Sequence, residues 1–198
     1  MDVEELKQEI EKVKANFEEA QQRIAALQVV HEVASSLTLE LNLEPLLHKI
    51  LAKAVEVMTA SAGSLLLLDE LTEELVFAVI EGGGGENLKG VRMSRDKGIA
   101  GWVAATHEPV IANNAPQDWR FSPVVDEVFN FSTRSLVCVP MVTRRKLVGV
   151  IEVLNRQAGE NYTEADVNLL LILGNVSATA LETMRVRLDA EEASVATH

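Results

Sequence analysis

The sequence is poor in aromatic residues and in cysteine, and each shortage excludes a class of structure. Phenylalanine, tryptophan and tyrosine make up 4% of the 198 residues, whereas the hydrophobic share is 47%. A core built from this composition is aliphatic. The single cysteine, Cys138, excludes a disulfide within one chain and any Cys-x-x-Cys metal site.

Basic residues and long apolar runs are also scarce. The chain has 18 Lys and Arg against 30 Asp and Glu, which gives a formal net charge of −12. Such a surface repels phosphate backbones, so we expect no nucleic-acid partner. No uninterrupted run of 18 apolar residues and no signal-peptide pattern occurs. We therefore expect a soluble, cytoplasmic protein with no membrane partner.

The N-terminal region carries a regular seam of apolar residues. They recur at alternating steps of three and four, which is the heptad spacing of a coiled coil, and isoleucine at a with leucine at d favours two strands. We expect residues 1–37 to form a parallel pair with a second copy. The alternative is a lone amphipathic helix that folds back on its own domain. The seam consists of Val3, Leu6, Ile10, Val13, Phe17, Ala20, Ile24, Leu27, His31 and Ala34.

The strongest β-strand signal lies between Leu136 and Arg156. Two apolar runs, 136–142 and 147–154, flank the polar residues 143–146, which predicts a hairpin in the middle of a sheet. Within it, strict alternation places Glu152 on one face with Val148, Val150 and Leu154. A carboxylate there needs a donor or a charged partner. Glu152 is thus either a structural buried acid or a pocket residue.

The remaining pattern predicts an α+β fold. An antiparallel sheet of five or six strands carries the terminal helices on one face, and a long excursion over 98–134 encloses a pocket on the other. The run Gly82–Gly85 lacks the Lys and Ser/Thr of a P-loop and is predicted as a flexible loop. The other predicted strands are 64–68, 75–80, 88–93 and 109–111, and the predicted helices are 39–58, 98–106, a turn at 124–131, and 163–187.

Five segments together resemble the GAF domains, a family of small-molecule sensor modules. The resemblance covers roughly residues 38–185 and is strongest to the cyclic-nucleotide-binding members in phosphodiesterases and bacterial cyclases. It implies a GAF sensor domain at 38–187, after the coiled-coil helix and before a polar tail at 188–198. The segments are SLLLLD (64–69), VIEGG (79–83), GIAGWVA (98–104), TRSLVCVP (133–140) and LVGVIEVLNR (147–156).

The resemblance also implies the positions of a ligand site. Ile80 and Glu81 stand where that subfamily has a base-stacking ring and an acid, and Phe129 stands where it has a hydroxyl residue. The signature of the subfamily further implies a structural salt bridge between Arg156 and Asp166. The implied ligand-binding residues are Ser64, Ile80, Glu81, Ile99, Ala100, Asp126, Phe129, Thr133 and Glu152.

Together these features predict a non-catalytic sensor that binds a small intracellular ligand, either a cyclic nucleotide or another metabolite, without a metal or a permanent cofactor. The signal would pass through the paired helices of a homodimer, formed by the N-terminal coiled coil and the C-terminal helix, to a partner in trans. The alternative is a ligand-free dimerisation scaffold whose pocket is filled by Ile80 and Phe129. No enzymatic activity is expected, because the excursion lacks the catalytic cysteines of the methionine-sulfoxide reductases that share this fold.

Overall fold

The structure is a computed structural model that describes residues 3–36, 43–83, 85–144 and 146–195. These residues form five α-helices, six strands and three short 3₁₀ turns. The helices are α1 (Val3–Ser36), α2 (Leu43–Val57), α3 (Gly98–Thr106), α4 (Val124–Phe129) and α5 (Glu164–Val195). The strands are β1 (Ala60–Leu68), β2 (Glu74–Gly82), β3 (Arg92–Ser94), β4 (Val110–Ala112), β5 (Leu136–Val142) and β6 (Leu147–Arg156).

The six strands form one sheet in the order β3-β2-β1-β6-β5-β4, and all neighbouring pairs are antiparallel. The predicted antiparallel α+β fold is therefore confirmed. The central strands β1 and β6 bury side chains on both faces, which explains why their sequences are apolar at nearly every position. The β5–β6 hairpin lies inside the sheet, as predicted.

Two β-bulges change the alternation of side chains between the faces. Leu65 pairs with Val79 but Leu66 pairs with Phe77, so Ala78 has no partner in β1. A second irregularity opposite Met141 and Val142 leaves Val148 without a partner in β5.

The second bulge corrects one prediction made from strict alternation. Val150 and Leu154 do pack on the same side of the sheet as Glu152. Val148 instead packs against the cluster on the opposite side, because the bulge shifts the alternation before Val150.

The two faces of the sheet have separate hydrophobic clusters. The helix face is covered by α2 and α5, whose Leu51 and Leu170 are completely buried beside Leu65 and Ile151 of the sheet. The opposite face, which we call the cavity face, is covered by α3 and the segment that follows it. Terminal helices on one face and the excursion on the other agree with the prediction.

The helix α5 combines an apolar composition with a buried position. Among the described residues, Glu164–Arg187 is the one stretch long and apolar enough to span a membrane by length and composition. Val167, Leu169 and Leu173 are nevertheless buried in the core cluster on the helix face. Its composition is thus explained by packing against the sheet and the neighbouring helices.

Several element bounds differ from the sequence predictions, among them the start of β1, which lies at Ala60 instead of residue 64. The edge strand β3 covers Arg92–Ser94 instead of 88–93, and a 3₁₀ turn at Gly85–Leu88 precedes it. The last helix continues to Val195, so most of the predicted polar tail at 188–198 is helical. The Ala and Glu residues of that stretch are strong helix formers, which accounts for the extension.

The helix α1 is continuous from Val3 to Ser36 and contacts α2 and α5 of the same chain. Seven of its seam residues are exposed, with exposed fractions of 44–72%: Val3, Leu6, Ile10, Val13, Phe17, Ile24 and Leu27. The parallel coiled coil stays a prediction. Residues 1, 2 and 37 of that region lie outside the described residues, as do 38–42, Gly84 of the glycine run, Arg145 of the hairpin turn and 196–198 of the tail.

Candidate ligand site

A cavity of about 430 Å³ lies over the cavity face of the sheet. Its walls come from β1, β2 and β6, from the start of α3, from α4 and from the glycine-rich turn after β2. This volume falls within the range of roughly 300–1,000 Å³ typical of small-molecule sites.

Most of the cavity wall is apolar. Of the 29 lining residues, 16 have apolar side chains, five are glycines and eight have polar side chains. The polar ones are Ser64, Arg92, Ser94, Lys97, Ser122, Asp126, Thr133 and Glu152.

Eight of the nine predicted ligand residues line this cavity. They come from four separate parts of the chain: β1 and β2, the first turn of α3, the segment from α4 to β5, and β6. They are Ser64, Ile80, Ile99, Ala100, Asp126, Phe129, Thr133 and Glu152.

Glu81 is the exception, because it does not line the cavity. Ile80 pairs with Ser64, whereas Glu81 pairs with Gly63. Successive side chains of a strand point to opposite faces. A Cβ added to Gly63 would meet Val55 and Leu51 of α2, so Glu81 belongs to the helix face.

The floor of the cavity holds a buried serine–glutamate pair. Ser64 and Glu152 are directly opposed across β1 and β6, and the Ser64 hydroxyl donates to Glu152 Oε1 at 2.6 Å. Burial raises the pKa of Glu152 and the nearby Asp126 raises it further, while the hydrogen bond from Ser64 opposes them. Glu152 is thus both a buried acid and a pocket residue, which joins the two interpretations left open by the sequence.

Cys138 is the β5 neighbour of Glu152 and is completely buried. Burial raises the pKa of this thiol well above its ordinary value, and the charge of Glu152 acts in the same direction. A thiol held in its protonated form is a poor nucleophile, so Cys138 serves as a packing residue of the cavity-face cluster.

One wall is fixed by a side-chain clamp. The Asp126 carboxylate accepts hydrogen bonds from the Thr133 backbone N–H at 2.7 Å and from its hydroxyl at 2.8 Å. This contact ties α4 to the segment that leads into β5. The buried Asn155 side chain holds the same segment, because it accepts from the Arg134 N–H at 2.7 Å and donates to the Ser132 carbonyl at 2.8 Å.

The start of α3 forms the edge of the cavity. Gly98 adopts a φ of 71°, a left-handed conformation that favours glycine, and places the first turn of α3 against the cavity. The first N–H groups of a helix have no partners within the helix. Lys97, immediately before them, is exposed at the rim.

The glycine-rich run is a cavity wall that the sequence reading assigned to a flexible loop. Gly82, Gly83 and Gly85 line the cavity. At Gly82 the φ of 71° and an imagined Cβ only 2.3 Å from the Ser61 carbonyl oxygen both require glycine. The signal that could have found this wall is the position of the run directly after a predicted strand.

The predicted salt bridge is present. Arg156 Nη1 lies 2.6 Å from Asp166 Oδ2, with side-chain exposures of 15% and 1%. The same carboxylate oxygen accepts from the Thr163 N–H at 2.7 Å and from its hydroxyl at 2.9 Å. This arrangement is a capping box at the start of α5, and it joins the end of β6 to that helix.

Among the described residues, no cluster of three His, Cys, Asp or Glu side chains is placed to hold a metal ion. The site is therefore an apolar cavity with a hydrogen-bonded floor.

Comparison with known proteins finds, among others, two phosphodiesterases whose sequences are similar to part of this chain. The probable 3′,5′-cyclic phosphodiesterase pde-5 of Caenorhabditis elegans is 27% identical over 165 residues, which are 79% of this chain and 22% of that protein. The dual 3′,5′-cyclic-AMP and -GMP phosphodiesterase 11 of Drosophila melanogaster is 32% identical over 153 residues, which are 70% of this chain and 10% of that protein. The chain spans about a tenth to a fifth of these relatives.

A solved structure shows the same fold at lower sequence identity. The GAF domain from a phosphoenolpyruvate-protein phosphotransferase of Coxiella burnetii superposes with a TM-score of 0.72 at 18% identity, covering 83% of this chain and 96% of that one. A family model described as a GAF domain matches residues 40–182, well over half of the sequence. The chain therefore belongs to the GAF domain family.

Proposed function

We propose that this chain is a regulatory GAF module that binds a small intracellular ligand in the cavity and performs no catalysis of its own. The observation that carries the proposal is the cavity of about 430 Å³ with the Ser64–Glu152 pair on its floor. The scaffold alternative expected Ile80 and Phe129 to fill this space, whereas both line a cavity. A cyclic nucleotide and another small metabolite are the ligands that the family resemblance offers.

The proposed route for the signal is the pair of terminal helices. The helices α1 and α5 contact each other, and α5 also packs on β5 and β6 behind the cavity floor. A ligand that draws α4 and its neighbours over the cavity would favour one packing of these helices. The exposed seam of α1 supports a homodimer through which that change reaches a partner in trans, in the cytoplasm.

The phosphodiesterase relatives support the regulatory role. The similarity covers only 22% and 10% of their lengths, and it falls on the GAF region of this chain. A module of this size that is shared with much larger enzymes fits a control function better than the hydrolysis itself.

Native mass spectrometry of freshly purified protein tests the proposal. We expect a dimer with an added mass of a few hundred daltons per subunit, and the added mass should disappear from a control sample that has been unfolded and refolded. A bare protein whose melting temperature no cyclic nucleotide or metabolite changes would contradict ligand binding. A monomer would contradict the route through paired helices.

A further inference from the structure

Four of the eight polar side chains of the cavity are paired with one another. The Ser64 hydroxyl is bound to Glu152 Oε1, and both Thr133 donors are bound to Asp126. A ligand rich in polar groups would have to break these bonds or leave its own groups unpaired. Both cost free energy in an enclosed apolar site.

Positive charge is confined to the rim. Arg92 and Lys97 are the two cationic residues of the lining, and both are exposed. The Arg92 guanidinium is already held by Asp69 at 2.6 Å and by Glu74 at 2.9 Å. The Arg92 charge is therefore paired with acidic residues at the β1–β2 connection and is not offered to the cavity.

The interior side chains that the structure describes include no cation, and both acidic side chains already accept hydrogen bonds. An anion would meet the carboxyl groups of Glu152 and Asp126. A cation would find both acidic side chains already engaged, Glu152 by the Ser64 hydroxyl and Asp126 by two Thr133 donors. An uncharged molecule avoids the desolvation cost of either charge.

On the floor of the cavity, one polar group of a ligand can still be satisfied. Glu152 Oε1 is bound to Ser64, and no hydrogen bond reaches Oε2 from any residue that the structure describes. The walls around it include Ile80, Phe129 and Leu154, which present aliphatic and aromatic surface.

We propose that the cavity takes an uncharged, largely apolar ring compound whose single polar group hydrogen-bonds to Glu152 Oε2. This inference rests on the proposed function and narrows its ligand class. It favours such a compound over a cyclic nucleotide, because a purine with a cyclic phosphate carries several polar groups and a negative charge, and the charged side chains of the interior are the acids Glu152 and Asp126.

Two fluorescent probes with the same ring skeleton test the inference on the full chain. N-phenyl-1-naphthylamine is uncharged, whereas 8-anilinonaphthalene-1-sulfonate adds one sulfonate. We expect one molecule of the uncharged probe per chain, with a Kd at least about tenfold below that of the sulfonate, since unpaired burial of a charge costs at least that much. Cyclic GMP and cyclic AMP should not displace it.

A matched pair of variants locates the binding. Phe129→Arg places a charge in the cavity lining, and Glu127→Gln makes the same change of net charge on an α4 residue outside the lining. We expect Phe129→Arg to raise the Kd of the uncharged probe by about fivefold or more, and Glu127→Gln to leave it within about twofold. Circular dichroism establishes whether both variants are folded. If either is not, the ratio of the two Kd values on the unmodified chain still tests the inference.

The outcomes separate this inference from the function on which it rests. Tighter binding of the sulfonate, or of either cyclic nucleotide, would overturn the uncharged ligand and leave the sensor function standing. An equal response of the two variants would overturn the cavity as the probe site. Binding of none of these compounds would overturn the inference and remove support from the sensor function as well.

Discussion

On the helix face of the sheet, α2 and α5 press aliphatic side chains such as Leu51 and Leu170 into complete burial. On the cavity face, α3 and α4 cover the same sheet but leave about 430 Å³ between them. The strands are shared, so the difference arises from what covers them. The helix face closes with long helices, whereas the cavity face is held open by short elements that are fixed through polar clamps such as Asp126–Thr133.

The two faces of the sheet have different roles in this domain, one in folding stability and the other in ligand contact. Side chains on the helix face contribute to folding through close packing. Side chains of the cavity lining border empty space and are available to a ligand. Four substitutions test this division.

Asp166→Ala should have the largest effect, because it breaks the attachment of α5 to the end of β6. It leaves the largely buried Arg156 without its 2.6 Å partner and removes the acceptor for Thr163. We expect the free energy of unfolding to fall by about 3–5 kcal/mol, as for other broken buried ion pairs. Urea denaturation measures it.

The control for Asp166→Ala is Glu160→Ala. Glu160 lies 3.7 Å from the same arginine, but 68% of its side chain is exposed. Its loss should cost less than about 1 kcal/mol. Equal costs for the two variants would show that α5 is not fixed to the sheet in this way.

Leu170→Ala should follow, since it opens a gap in the helix face. Leu170 is completely buried in the cluster formed with α2 and the sheet. We expect a loss of about 3 kcal/mol, within the usual range for buried leucines. On the same helix, Val186→Ala, at a position 57% exposed, should stay within about 0.5 kcal/mol of the parent in thermal or urea unfolding. A loss at Leu170 as small as that at Val186 would contradict close packing.

Glu152→Gln should change how stability depends on pH. The raised pKa of Glu152 means that the folded chain keeps a proton that the unfolded chain releases above the ordinary value near 4.5. Stability of the parent therefore falls as the pH rises from there through the raised pKa, and the glutamine variant lacks this loss. The melting temperature of the variant minus that of the parent should become more positive between pH 4 and pH 8.

Asp126 and Cys138 are the titratable groups that face Glu152, and both are present in parent and variant. The exposed Glu127→Gln provides the control, for which we expect parallel pH profiles. Parallel profiles for Glu152→Gln as well would mean that Glu152 is ionised in the folded chain at the same pH as in the unfolded one.

Ile80→Ala should have the smallest effect, although it removes a side chain of similar size to Leu170. Ile80 is half-buried and one side of it faces the cavity, so fewer contacts are lost. We expect a loss of less than about 1 kcal/mol in the same urea experiment. A cost equal to that of Leu170→Ala would mean that the two faces are packed alike.

The sequence predicted the parts of the fold that local patterns determine. The strand β5 and the helix α3 begin and end at the predicted residues, because apolar runs bounded by polar turns or by glycine mark them. The edge strand β3 was misplaced because an edge strand is defined by its partner and carries little apolar signal of its own.

The ligand residues came from the family resemblance, and eight of nine line the cavity. The resemblance assigned two consecutive strand residues, Ile80 and Glu81, to the site, and Glu81 lies on the other face because successive side chains of a strand point to opposite faces. The volume of the cavity could not be predicted either. It depends on how far α4 stands from the sheet, and that distance is set by contacts between residues far apart in the chain.

The bulge at Ala78 also bears on how this domain tolerates changes in length. Removing Ala78 would join Phe77 directly to Val79, and every other β1–β2 pair would stay in place with regular spacing. Ile80 would still face the cavity and Glu81 the helices. A one-residue deletion here therefore leaves the positions of the cavity-lining side chains unchanged. A deletion between Ile80 and Gly82 would instead shift the glycine-rich wall. Alignments of related chains should allow a gap at Ala78 before they compare ligand positions beyond it.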